Sequence, residues 1–154
     1  MKRARALLYK LGYPLMRIYW FVRRPATTGV RCLLINGENV LLITHTYGNP
    51  LRTIPGGGVT AGETPEQAVV REVREEVGIE LNTVTLVGDV KHFEEYKHDT
   101  IYVFVAHTAV ETIIKDAAEI REASWHRLDA LPADISPLFE KFLMLYYSQH
   151  ARRT

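Results

Sequence analysis

Residues 56–79 constrain this chain more than any other stretch. They read Gly56-Gly57-Gly58-Val59-Thr60-Ala61-Gly62-Glu63-Thr64-Pro65-Glu66-Gln67-Ala68-Val69-Val70-Arg71-Glu72-Val73-Arg74-Glu75-Glu76-Val77-Gly78-Ile79. Thr64 is a good N-cap, Pro65 suits the first helical position, and Gln67 completes a capping box. Gly78 supplies the left-handed stop. A helix over 65–77 follows. At 100° per residue, Val69, Val70, Val73 and Val77 share the arc that faces a core. Glu72, Glu75 and Glu76, at i, i+3 and i+4, gather on a different arc. Three carboxylates there repel one another. Such a group suits a hard divalent cation that takes oxygen ligands, as Mg²⁺ does when it bridges a few carboxylates to substrate phosphates. The glycines ahead of the helix allow tight turns and close backbone approach, and Glu63 falls near the same place. The bland alternative is a solvated acidic helix face; the glycine loop joined to a capped, acid-clustered helix weighs against it.

The charge is unevenly spread. The net charge of the 154 residues is +1, but residues 1–30 hold Lys2, Arg3, Arg5, Lys10, Arg17, Arg23 and Arg24 with no acid, a charge of +7. The rest has 12 basic and 18 acidic residues, a charge of −6. A basic, aromatic leader precedes an acidic body. The leader does not read as a signal peptide or a membrane span, because Lys10, Gly12, Pro14 and Arg17 cut its apolar stretch. The single cysteine, Cys32, excludes an internal disulfide and a zinc site built on thiolates. It lies in an apolar run and reads as a buried hydrophobe. A reducing, cytoplasmic setting fits. The six histidines are dispersed, with no metal-ligand spacing.

Hydrophobic residues at 47% suffice for a packed core. Strand-like runs at 30–35 and 40–46 flank Asn36-Gly37-Glu38-Asn39, a hairpin signal. A Gly/Pro-rich loop holds at most a short strand at 51–54. Further strands are expected at 83–93, 100–110 and 124–128. A last helix starts near Pro137 with Ser136 as N-cap, and Leu138, Phe142, Leu145 and Tyr146 form its apolar stripe. Strands interleaved with helices imply an α/β class fold, an α/β/α sandwich around a mixed sheet.

The 56–79 segment resembles the signature of the Nudix hydrolase (MutT-like) family. Gly57, Glu63, Arg71, Glu72, Val73, Glu75, Glu76, Gly78 and Ile79 occupy its fixed positions. Ile54-Pro55-Gly56-Gly57 resembles the family's entry to the box. Glu119-Ile120, Glu122, Trp125 and Leu128-Asp129-Ala130-Leu131-Pro132 resemble its closing segment. The resemblance implies a Nudix domain over 26–150, with residues 1–25 as a basic N-terminal extension of helical character. It implies a hydrolase that cleaves a diphosphate linkage in a nucleoside diphosphate derivative by water attack on phosphorus, assisted by Mg²⁺ or Mn²⁺. Glu72, Glu75 and Glu76 would hold metal with the backbone of Gly57. Arg71 would orient a glutamate, and Glu63 would assist. The general base is open between Glu72 or Glu76 in the helix and Glu94, Glu95, Glu119 or Glu122 outside it, with Glu119 and Glu122 ranked first among the outer four. Tyr47, Arg52, Glu119 and Glu122 are candidate substrate contacts. The proline that many ADP-ribose enzymes carry downstream and the peptide that follows the box in NADH-directed members are both absent, so the substrate is expected only as a nucleotide-type small molecule.

The competing function is a Nudix-fold nucleotide sensor without turnover. Such modules usually lose box carboxylates, and none is missing. The leader has three readings: packing on the domain, pairing two copies as a homodimer, or peripheral contact of residues 1–24 with an anionic membrane. The first two are favoured, and nucleic-acid binding is a thinner option.

Overall fold

The computed structural model describes residues 26–94 and 97–151. The readings of the leader and the candidate Glu95 lie outside the described residues. The two apolar runs become strands β1 (Ala26–Asn36) and β2 (Asn39–His45). They turn at Gly37-Glu38, where Asn36 pairs with Asn39 and Gly37 takes φ 57°. The remaining elements are helix α1 (Pro65–Val77), strands β3 (Thr85–Glu94), β4 (Lys97–His107) and β5 (Ile120–Arg127), and helix α2 (Pro137–Ala151). The sheet order is β3-β4-β1-β2-β5. β1 runs parallel to β4 and every other pairing is antiparallel. The sheet is therefore mixed, as expected.

Strand alternation divides the core between two helices. Val30, Cys32 and Leu34 of β1 and Leu41 and Ile43 of β2 pack with Val69, Val73 and Val77 of α1. Leu33 and Ile35 of β1 and Val40 and Leu42 of β2 pack with Phe139, Phe142 and Tyr146 of α2. The result is the three-layer α/β/α sandwich. Cys32 is fully buried, and burial pushes its thiol up to about 12, so it is an inert part of the core. Among the described residues no helix is long and apolar enough to cross a membrane.

The structure departs from the sequence reading in several places: β1 starts at Ala26 rather than at 30, and β4 spans Lys97–His107 rather than 100–110. β5 begins at Ile120, not at Ser124, because Ile120 is fully buried and pairs with the end of β2 beyond a bulge. Residues 51–54 form no strand of their own; isolated bridges tie Thr53 to Ile43 and Arg52 to Ile135. On α2 the buried row runs through Phe139, Phe142 and Tyr146, while Leu138 and Leu145 lie at its margin. Phe139 fills the centre of this face, so Phe139→Ala should cost about 3–5 kcal/mol of stability. Chemical denaturation of the variant checks this; a loss below about 1 kcal/mol would contradict the packing.

β1 and β2 pair only close to their turn and then splay apart. The segment entering the glycine loop fills the gap. Thr53 exchanges both backbone hydrogen bonds with Ile43 (2.8 and 2.9 Å), Cys32 N–H donates to Pro55 O (2.9 Å) and Val30 N–H to Gly57 O (2.9 Å). The backbone groups left free by the splay are thereby satisfied. The same wedge carries the glycine loop to the C-terminal end of α1.

Candidate active site

Helix α1 forms as its local signals dictate. Thr64 Oγ1 accepts the Gln67 N–H, and the Gln67 side chain accepts the Thr64 N–H. Gly78 closes the helix at φ 71°, its N–H donating to Arg74 O. Ala68, Val69, Val73 and Val77 are buried, and Val70 is half-buried.

The glutamates do not share one environment, which corrects the single acidic arc. Glu76 is 4% exposed and points inward, whereas Glu75 is 56% exposed. Glu76 Oε2 accepts the Gly56 N–H at 2.8 Å, and its Oε1 lies 4.0 Å from His45 Nδ1. Burial pushes its carboxyl up to about 8, opposed by Arg31 and the Gly56 hydrogen bond and assisted by the charges of Glu72 and Glu119. Glu72 leans over the loop: a Cβ on Gly57 would meet its Oε1 at 2.5 Å. The carbonyl of Gly57 faces β1 and accepts from Val30.

Arg71 gathers the rest. Its Nε and one terminal nitrogen grip Glu63 at 3.1 and 2.6 Å; the other reaches Glu72 at 2.8 Å and Glu75 at 3.4 Å; Gly58 O accepts at 3.0 Å. These bonds engage all five guanidinium donors. Glu63 also accepts the Thr60 N–H at 2.6 Å. Arg71, and then Thr60, hold the Glu63 carboxyl down to about 2. Arg71 thus orients three glutamates rather than one.

The outer candidates separate. Glu119 is half-buried and lies within electrostatic reach of Glu76; its carbonyl accepts the Thr46 N–H. Glu122 is instead exposed and paired with Arg52, which also binds Asp134. Arg52 is committed to these two acids. Tyr47 is half-buried, its ring 6.1 Å from that of His45. Glu94 ends β3, remote in the sheet order from β2 and β5.

A cavity of about 350 Å³ opens beside His45, whose Nδ1 lies 4.0 Å from Glu76, and is lined by Arg31, His45, Asn49, Thr53, Ser136 and Leu138 among others. Burial and the charge of Arg31 push His45 down to about 4, and its Nδ1 is buried without a hydrogen-bond partner among the described residues. Arg31 escapes motif reasoning. The signal available for it is alternation: a cation in an otherwise apolar strand row.

The donor set tests whether a metal fits. Among the described residues no three acidic, histidine or cysteine side chains stand close enough to enclose a cation as they are. Arg71 holds Glu63, Glu72 and Glu75, and Gly56 holds Glu76. The chemistry nonetheless fits a hard cation: the Glu72, Glu75 and Glu76 carboxylates stand on one helix, and among the described residues no Lys or Arg forms an ion pair with the buried Glu76. An added positive charge beside it would offset its burial.

Comparisons with known proteins bear on the family and the fold. The family model for the NUDIX domain matches residues 25–146. A NAD-capped RNA hydrolase, NudC, of Pseudomonas aeruginosa is 38% identical over 106 residues, which are 65% of this chain and 36% of that protein. The chain therefore spans well under half the length of this relative. A MutT NUDIX hydrolase from Burkholderia pseudomallei superposes with TM-score 0.73 at 26% identity, covering 80% of this chain and 98% of that one. The NUDIX domain of Shewanella oneidensis NrtR, solved with ADP ribose, has the same fold, with TM-score 0.65 at 17% identity over 84% of this chain and 89% of that one.

Proposed function

The chain belongs to the Nudix hydrolase family, and from that premise we propose that it hydrolyses a diphosphate linkage in a nucleoside diphosphate derivative, with Mg²⁺ or Mn²⁺ as cofactor. The observation that carries this reading is the complete set of acids on α1, with Glu76 buried against the glycine loop and Arg71 bracing the others. A sensor that does not turn over its ligand has no need to keep every one of these acids, and Glu63, Glu72, Glu75 and Glu76 are all present. The domain responsible is residues 26–150, with residues 1–25 as an extension.

Glu72, Glu75 and Glu76 would hold the metal with the backbone of Gly57. When bound, it neutralises diphosphate charge and acidifies water at the site. Arg71 holds Glu63, Glu72 and Glu75 beside the glycine loop through charge-assisted hydrogen bonds, and Glu72 and Glu75 would turn oxygens from it to take the metal. The water oxygen forms a bond to phosphorus and the bridging P–O bond breaks. The water proton passes to a carboxylate, and the leaving phosphate departs with the bridging oxygen. Glu76, buried against the glycine loop, is one candidate for the base, and Glu119 is the second because it lies within electrostatic reach of Glu76.

The relatives' name makes NAD-type diphosphates and NAD-capped RNA worth including beside ADP-ribose, nucleotide sugars and nucleoside triphosphates. Such a panel, scored for nucleoside monophosphate or phosphate release with Mg²⁺ and with chelator, should show metal-dependent cleavage of at least one compound. Binding without turnover across the panel would favour the sensor.

A further inference from the structure

We propose that Arg31 binds the diphosphate of the substrate from the cavity side, and that the cavity beside it takes the nucleoside-sized group attached to that diphosphate. This rests on the function proposed above. The site has two arginines, and they differ in what they have left to give. Arg71 has all five donors on Glu63, Glu72, Glu75 and Gly58 O. It is a brace, with no donor to spare for a ligand. Among the described residues Arg31 makes no ion pair, and its guanidinium donates to the neighbouring Val30 O at 3.2 Å.

Its place in the strand makes this unusual. Arg31 alternates with Val30 and Cys32, which face α1, and so shares the α2-facing row with Leu33 and Ile35, which are 0% and 2% exposed. A cation in such a row is costly unless a partner or water compensates it. The chain resolves this by leaving a cavity of about 350 Å³ at Arg31, where β1 and β2 splay. That volume is at the small end of ligand sites, enough for one nucleoside-sized group. Arg31 also adjoins the reaction centre. A Cβ on Gly56 would lie 2.9 Å from Arg31 Cα, and the Gly56 N–H is the group that holds Glu76. The cavity and the acidic end of α1 are thus neighbours: Arg31 and His45 line the cavity, and His45 Nδ1 lies 4.0 Å from Glu76 Oε1. Arg31 is the cation placed to draw a polyphosphate towards an otherwise acidic centre, and a guanidinium binds two phosphate oxygens at once.

The test is equilibrium binding of the full chain to α,β-methylene-ADP, which resists hydrolysis at the bridge, and to adenosine, both with Mg²⁺. Wild type is compared with Arg31→Met, which keeps the apolar stem, and with Arg31→Lys, which keeps the charge. Arg31→Met should weaken α,β-methylene-ADP about 10- to 100-fold, leave adenosine affinity within about twofold, and raise KM more than it lowers kcat. Arg31→Lys should fall between. Equal weakening of both ligands, or of neither, in folded variants of an active wild type overturns the role of Arg31 and leaves the hydrolase reading intact. A wild type that neither binds these ligands nor cleaves any compound of the panel overturns both.

Discussion

Glu76→Gln should lower metal-dependent hydrolysis about 10²–10⁴-fold and leave the fold intact. Glutamine keeps an oxygen that can accept the Gly56 N–H, so the loop stays anchored. It loses the charge that would hold a cation and the basicity that would take a proton. A second readout separates this from a packing defect. The Glu76 carboxyl is raised to about 8 in the folded protein, from an ordinary value of 4.5. The folded state then holds the proton more tightly than the unfolded chain does. Below about pH 4.5 both states are protonated and the group contributes no slope. As pH rises from about 4.5 to about 8, the metal-free protein should lose stability, because folding keeps a carboxyl protonated that the unfolded chain ionises. Glu76→Gln should lack that slope and be at least as stable as wild type at pH 8. Denaturant titrations at pH 5 and pH 8 in chelator measure it. Glu75→Gln should also abolish turnover, but without the pH signature, since Glu75 is exposed. Full activity in both variants would remove the metal site from α1.

The two adjacent glycines should fail in opposite ways. Gly56 has φ 142°, and a Cβ there would stand 2.1 Å from Val30 O, a backbone atom of the central strand. Neither side can yield. Gly56→Ala should destabilise the fold by more than about 3 kcal/mol, from strained dihedrals together with the clash. Gly57 has no such φ, and its Cβ would meet the carboxylate end of Glu72 at 2.5 Å. A side-chain end can move, so Gly57→Ala should retain most of its stability and lose most of its activity by displacing Glu72 from the loop. Thermal melts beside kcat measure both. A stable, active Gly56→Ala would mean the wedge between β1 and β2 is misplaced.

Much of this is legible in the chain because the signals are local. Thr64, Pro65, Gln67 and Gly78 delimit α1 within 15 residues, and the cap bonds form as their types require. The hairpin at Gly37-Glu38 and the mixed, helix-covered sheet follow from runs and spacing. Non-local matters are harder to read. Glu76 and Glu75 are neighbours with equal helical claims to the acidic face. Only the arrival of Gly56, 20 residues earlier, makes one buried and leaves the other in solvent. Glu119 and Glu122 look alike in sequence, yet Arg52 takes Glu122, and the bulge at the end of β2 brings Glu119 alongside Thr46. Arg31 is a single charge in an apolar run, and its meaning depends on where two strands part.

The most direct measurement of the central claim is hydrolysis in ¹⁸O-water. With Mg²⁺ and a compound selected from the panel, one ¹⁸O per turnover should appear in a phosphate group of a product, and labelled product should form at background rate with chelator and about 10²–10⁴-fold more slowly in Glu76→Gln. Undiminished turnover in chelator, or product phosphates free of label, would contradict water attack on phosphorus at the α1 carboxylates.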